Sequence, residues 1–347
     1  MVTLNREMLV LARESRLLTQ TDLALMIGVP QTKVSKFEAG KMEPTEGELR
    51  QLCDALDYPP QFFEWPDRVY GFATQEMFHR IRQVPAKTLA MIHAQMNIRR
   101  MQLERLLRSV EIEGDGFRHI DPDEFDGDIA QIARAVRASW HLPPGPIRDL
   151  TLSIENAGAV VIPHDFKTRQ IDAVSQWIPG LVPMMLVNVT FPMDRLRYTM
   201  AHEVGHLVMH QTIGQNAEPE ANAFAAELLM PSEYVKPDLY NLTLPVMANL
   251  KEYWGVSMAA ILKRAGDLGC ITERHARTLW MEMSRLGYRR NEPGSVYKER
   301  PTLFYELLRV HQENLDYSIE DLADVLAENQ IRALIGGPDK PPLNVVA

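Results

Sequence analysis

The stretch Met200-Ala201-His202-Glu203-Val204-Gly205-His206-Leu207 limits the fold more than any other. It holds His-Glu-x-x-His in a run with helical spacing. Residues four apart share one helical face, about 5–6 Å from each other. Two imidazoles so placed can reach one Zn²⁺ at about 2.0–2.1 Å each. Glu203, next to the first histidine, faces the same mouth and can act as general base toward a water. His210 extends the row by a further turn. It lies about 12 Å along the axis from His202, so it is expected to support or cap the site rather than ligate the same ion.

Catalytic zinc takes three protein ligands, and candidates for the third follow in Glu218-Pro219-Glu220-Ala221-Asn222. Pro219 belongs in the first turn of the helix that starts there. Glu218 and Asn222 are four apart. Glu218 can therefore bind zinc while the Asn222 side chain hydrogen-bonds a ligand histidine. Glu220 points about 200° away from Glu218. Spacing favours Glu218 and leaves Glu220 open. The motif helix is expected to start at Pro192-Met193-Asp194 with Asp194 as N-cap. Gly205 inside it costs about 1 kcal/mol against Ala, which implies a close approach to the backbone. Ahead of the helix, Ala159–Ile162, Ile171–Trp177 and Met184–Val189 predict a small antiparallel sheet. An edge strand of such a sheet can take extended peptide by strand addition. Tyr198, Tyr234 and His210 are the candidates for an oxyanion donor.

The first 66 residues carry a different pattern. Thr19 caps a short helix with Asp22 three residues on, and Gly28 closes it. A second helix runs from Pro30 to Ala39 and stops at Gly40. Val34 and Phe37 point inward; Gln31, Thr32, Lys33, Ser35 and Lys36 point outward. Two short helices joined by a glycine turn, the second rich in amide, hydroxyl and ammonium groups, make a DNA-reading helix-turn-helix. Gln pairs with adenine edges, Lys with guanine or phosphate, Ser and Thr with either. Leu18-Thr19-Gln20, Asp22-Leu23-Ala24, Gly28-Val29, Val34-Ser35-Lys36, Glu38-Ala39-Gly40-Lys41 and Pro44 resemble the Cro/repressor class of helix-turn-helix domains. The segment holds seven Lys/Arg against ten Asp/Glu, which predicts weak non-specific affinity.

Arg197 through His206, then His210, then Glu-x-Glu-Ala-Asn-x-Phe-Ala-x-Glu-Leu-Leu-Met-Pro from Glu218 to Pro231, resemble the ImmA/IrrE family of metallopeptidases. The resemblance spans about residues 150–240. It implies a gluzincin-like site with His202, His206 and Glu218 on zinc and Glu203 as base. It also implies cleavage of Cro/repressor-type transcription factors, which releases stress or mobile-element genes.

The expected fold is mainly α with a small antiparallel sheet (α+β). Residues 1–66 form a five-helix Cro/repressor-like domain and 67–149 a helical connector. Residues 150–240 form a zincin-like metallopeptidase core and 241–347 a helical C-terminal region. Between Phe78 and Val110 seven basic residues stand against Glu104, and Glu111 to Asp128 carries eight acidic residues with Arg118 alone. Such blocks read first as solvated faces that partly neutralise each other, and second as a phosphate-contacting helix. Cys53 and Cys270 have no paired spacing, and with no signal-peptide architecture at Met1–Arg6 the expected compartment is the cytoplasm. The expected partners are a double-stranded DNA operator and a repressor-type protein, with no membrane. A homodimer is compatible with the apolar spacing at Leu89, Ile92, Met96 and Leu103. Zn²⁺ is the expected metal, with Mn²⁺ as the alternative. Two other functions fit: a peptidase fold that only senses metal or ligand, and a toxin–antitoxin or prophage component whose first domain binds a protein.

Overall fold

The computed structural model describes residues 4–71, 84–114, 116–210 and 216–329. The helix start expected at Phe78, with Arg80 and Arg82, and the tail 336–347 lie outside them. By packing, the chain forms two units. One combines residues 1–73, 78–112 and 303–347; the other combines 74–77 with 113–302.

In the first unit, α1 (Arg6–Ser15), α2 (Gln20–Met26), α3 (Gln31–Glu38) and α4 (Glu46–Leu56) follow in close succession. Thr19 with Asp22, and Thr45 with Glu48, form reciprocal capping boxes that satisfy orphan N–H groups at two of these starts. Gly28 adopts φ +68° between α2 and α3, a left-handed turn that a Cβ would strain. Met8, Leu9, Leu23, Val34, Phe37 and Leu52 meet in the core. The fifth expected helix is a 3-10 turn, Pro60–Glu64. Pro59 and Pro60 supply no N–H donors, so the chain turns there for five residues and places Phe62 and Phe63 in the core. Cys53 packs beside this core, and burial pushes its thiol up to about 11, against a reactive role.

Helix α5 (Ala86–Leu106) starts at Pro85 and packs along α1. Its basic residues do not form the solvated face expected of them. Arg100 is 2% exposed and donates to the Arg68 carbonyl and to Glu104. Arg105 meets Asp67 at 2.6 Å with its guanidinium 3.5 Å above the Trp65 ring. Both are internal ties, paired with residues other than the acidic block.

The second unit opens with α6 (Ile129–Ser139) and α7 (Leu150–Asn156), then β1 (Val160–His164), β2 (Ala173–Gln176) and β3 (Met184–Asn188). The sheet is mixed, not antiparallel. Its order is β1-β3-β2, with β1 parallel and β2 antiparallel to β3. β2 turns straight back into β3, which therefore enters between β2 and β1. All of β3 is buried, as suits a central strand.

Then come α8 (Met193–Met209), α9 (Ala217–Leu229), α10 (Ser232–Leu239), α11 (Leu244–Trp254), α12 (Met258–Asp267) and α13 (Glu273–Arg285). Asp194 does not cap α8. Pro192 holds that position, and Asp194 is drawn inside to Lys251 at 2.6 Å, which also meets Glu292. Buried Glu299 accepts from the Leu150 and Thr151 N–H groups at 2.9 Å each and pairs with Arg197, tying α7 to α8. Gly205 lets α9 lie against α8: a Cβ there would stand 3.2 Å from the Ala221 Cα.

Helices α14 (Leu303–Glu313) and α15 (Ile319–Leu326) return to the first unit. A Ser318–Asp321 capping box starts α15, and the Gln102 amide donates to the Leu326 carbonyl at 2.8 Å. No helix among the described residues is long and apolar enough to cross a membrane.

Candidate functional site

Helix α8 supplies His202, Glu203, His206 and His210; the first turns of α9 supply Glu218, Glu220 and Asn222. Packing of α9 on α8 brings the two sets together. The Nε2 atoms of His202 and His206 are 3.0 Å apart. Glu218 reaches both imidazoles, at 3.7 Å from His202 Nε2 and 3.4 Å from His206 Nε2. One ligand atom from each of these three residues lies within 4.8 Å of the others. Interaction with His202, then with His206, holds the Glu218 carboxyl well below the usual carboxylate range.

Glu220 is turned elsewhere. Its Oε2 stands 3.0 Å from His210 Nε2, and His210 Nδ1 stands 3.0 Å from His206 Nδ1. Burial pulls the His210 imidazole below its ordinary value, against the opposing pull of Glu220. Asn222 does not reach a histidine. Its amide donates to the Glu218 carbonyl at 2.7 Å, the acceptor one turn back on its own helix. Tyr198 donates to the Asn222 carbonyl at 3.2 Å. Glu203 accepts a 2.6 Å hydrogen bond from the Ser175 hydroxyl on β2. β2 is an edge strand of the sheet.

On the first unit, α3 exposes Gln31, Thr32 and Lys36, with Ser35 half-buried. Lys33 is drawn sideways into an ion pair with Glu48. The Gln31 amide donates to the Gln20 Oε1 at 2.7 Å, and Gln20 donates to Glu38 at 2.8 Å. Glu38 also holds Arg13 at 2.6 Å. This row of contacts fixes the first residue of α3 against the start of α2, so the reading helix is held in place before it meets a partner.

Residues 9–63 match the family model for helix-turn-helix domains, and residues 154–265 match that for the IrrE N-terminal-like domain, a peptidase family. The chain is a helix-turn-helix protein fused to an ImmA/IrrE-type peptidase-like domain. No curated protein matches it. The peptidase-family match begins in α7 and runs through α12, so it takes in the sheet, α8 and α9.

Of the residues expected at a metal centre, the ImmA/IrrE-type domain brings together His202, His206 and Glu218, with Glu203 beside them on α8. Two imidazole nitrogens and one carboxylate are the donor set of a His₂Glu zinc site, so the residues present fit zinc. Ser175, Gln20 and Glu48 stand out only in the folded chain. Gln20 and Glu48 lie in or beside capped helix starts, where the sequence explains them as local residues. Ser175 is one polar residue in a short strand, and nothing in its neighbours marks it as facing Glu203.

Proposed function

We propose that this chain is a DNA-binding transcriptional regulator whose zinc-dependent endopeptidase domain cleaves a repressor-type protein and so controls stress or mobile-element genes. The functional segments in this reading are residues 1–66 for DNA, 67–149 as connector, 150–240 for cleavage and 241–347 as a helical C-terminal region. The observation that carries the reading is the meeting of His202, His206 and Glu218 beside Glu203, in a chain that opens with a helix-turn-helix.

His202, His206 and Glu218 would hold the metal, and two nitrogens among three donors favour Zn²⁺ over the oxygen-preferring Mn²⁺. A zinc ion there would polarise the scissile carbonyl and acidify a water. Glu203 takes the proton of the attacking water and returns it to the leaving amine. The Ser175 hydrogen bond keeps the Glu203 carboxylate turned to that task. β2, whose Ser175 touches Glu203, is the edge along which an extended substrate segment adds as a further strand. Gln31, Thr32, Ser35 and Lys36 read or hold the operator; Lys33 joins them on release from Glu48.

The test is co-expression of the full chain with a repressor-type protein from the same genetic neighbourhood. Zinc-dependent loss of that protein is expected, and Glu203→Gln should abolish it while zinc stays bound. A repressor that survives, or is lost equally with Glu203→Gln, would leave metal or ligand sensing as the function.

A further inference from the structure

Three nitrogen contacts and one carboxylate contact form a single row across the two helices. His202 Nε2 meets His206 Nε2, His206 Nδ1 meets His210 Nδ1, and His210 Nε2 meets Glu220 Oε2, each at 3.0 Å. We infer that Glu220 and His210 are positioning residues that lock His206 in the Nδ1–H tautomer, with its Nε2 lone pair aimed at Glu218 and His202. The inference rests on the metal reading proposed above.

The direction of the row follows from what each group can donate. An ionised carboxylate only accepts, so the His210 nitrogen facing Glu220 must carry a proton. A neutral imidazole with Nε2–H has its lone pair on Nδ1. That Nδ1 can only accept, so the His206 Nδ1 facing it carries the proton. The His206 Nε2 is then unprotonated, the form a metal ligand requires. The opposite assignment puts a bare His210 nitrogen against the Glu220 carboxylate and a proton on His206 Nε2. It sets two acceptors face to face and blocks the ligand atom. Carboxylates usually orient a metal-binding histidine directly. Here the carboxylate acts through a second imidazole, which spans the gap between α9 and the far side of His206.

This placement also separates the two glutamates by task. Glu218 and Glu220 are two residues apart, so they leave α9 in different directions. Glu218 meets the imidazole faces from the ligand side, and Glu220 meets the row at its other end. Asn222, expected to orient a histidine, instead satisfies its own helix.

The test uses the full-length protein labelled with ¹⁵N-histidine. Long-range ¹H–¹⁵N spectra of metal-stripped protein report which ring nitrogen carries the proton. His206 is expected as Nδ1–H and His210 as Nε2–H in the wild type. Glu220→Gln puts an amide beside His210 that can donate or accept, so both tautomers should appear for His206 and His210. Zinc affinity, measured against a chromophoric chelator, should fall about 10–100-fold in His210→Phe and less in Glu220→Gln. Circular dichroism of each variant confirms the fold; Glu220 is half-buried, so its substitution leaves the core intact. Wild-type His206 as Nε2–H would overturn the inference. So would a Glu220→Gln protein with unchanged tautomers and zinc affinity within twofold of wild type. A wild type that does not bind zinc at all would refute the metal reading instead, and the tautomer spectra would still decide the orientation of His206.

Discussion

Gly205→Ala puts a number on how tightly α9 is held to the motif helix. Alanine in a helix interior gains about 1 kcal/mol over glycine, so in open space the substitution stabilises. Gly205 does not face open space. Its Cβ would lie 3.1 Å from Phe224 Cδ1 and 3.2 Å from both Phe224 Cβ and Ala221 Cα. Carbon atoms prefer about 3.5–4.0 Å, so several contacts must open by a few tenths of an ångström at once. Ala221 Cα is backbone and Phe224 is fully buried, so neither gives way cheaply. Overpacking of this kind costs about 1–3 kcal/mol. The net expectation is a loss of about 0–2 kcal/mol. Glu218 lies three residues before Ala221 on α9 and moves off with it, so zinc affinity should fall several-fold. Urea unfolding and chelator competition on the full chain measure both. Adding Phe224→Leu should recover part of each loss, since residues in contact couple by about 0.5–3 kcal/mol. A Gly205→Ala protein stabilised by about 1 kcal/mol with unchanged zinc affinity, or additive effects in the double variant, would refute the argument.

Gln31→Ala with Lys36→Ala should weaken operator binding at least tenfold, since one good base contact is worth about 1–3 kcal/mol, and should flatten the salt dependence; equal binding by gel shift at two salt concentrations would contradict it. Ser175→Ala removes the hydrogen bond that holds Glu203, so cleavage should slow by roughly 5–10-fold with zinc affinity unchanged, and a variant as fast as wild type would deny Ser175 that role. Backbone and side-chain hydrogen bonds from Thr19 hold the Asp22 carboxyl below its ordinary 3.8. Asp22 therefore adds stability that is complete above that value and fades as pH falls through its lower folded value. Thermal midpoints of wild type and Asp22→Asn should differ near neutral pH and converge in acid; a constant gap would count against the cap.

What the sequence made legible was whatever depends on near neighbours. The caps at Thr19, Ser257 and Ser318, the close approach at Gly205 and the turn at Gly28 all follow from residues within one or two turns. The spacing of His202, His206 and Glu218 rests on helical period alone, and the fold brings these residues together. Strand direction was not legible, because alternation marks a strand but is blind to whether its neighbour runs with or against it. Asp194 is a good cap by type, yet Lys251, 57 residues on, draws it inward. Arg100 and Arg105 look like surface charge until α5 turns them onto Arg68, Glu104 and Asp67. Ser175 with Glu203, and Glu220 with His210, exist only once separate elements pack, so no local pattern announces them.

The order of units along the chain bears on how DNA reading and cleavage are joined. The first unit is completed by residues on both sides of the second in sequence: α5 before it, α14 and α15 after it. Ala94, Ile98 and Met101 of α5 and Ala327 just past α15 belong to the same apolar core as Leu56 and Phe62. Gln61 and Gln102 bond to Asp324 and the Leu326 carbonyl across that core. Burying one large apolar side chain is worth about 1.5–3 kcal/mol, and a whole domain is stable by about 5–15 kcal/mol. Ile98 and Met101 alone thus supply a sizeable share of what holds the helix-turn-helix together. A fragment ending at residue 66 lacks them, so operator binding is a property of the full chain and has to be measured there. The same arrangement means that residues 113–302 cannot be cut out by a single break without also freeing α15 from its covalent link to α5. DNA reading and the peptidase-like domain are therefore tied by the path of the backbone, and a change in one has a route to the other through α5 and α14.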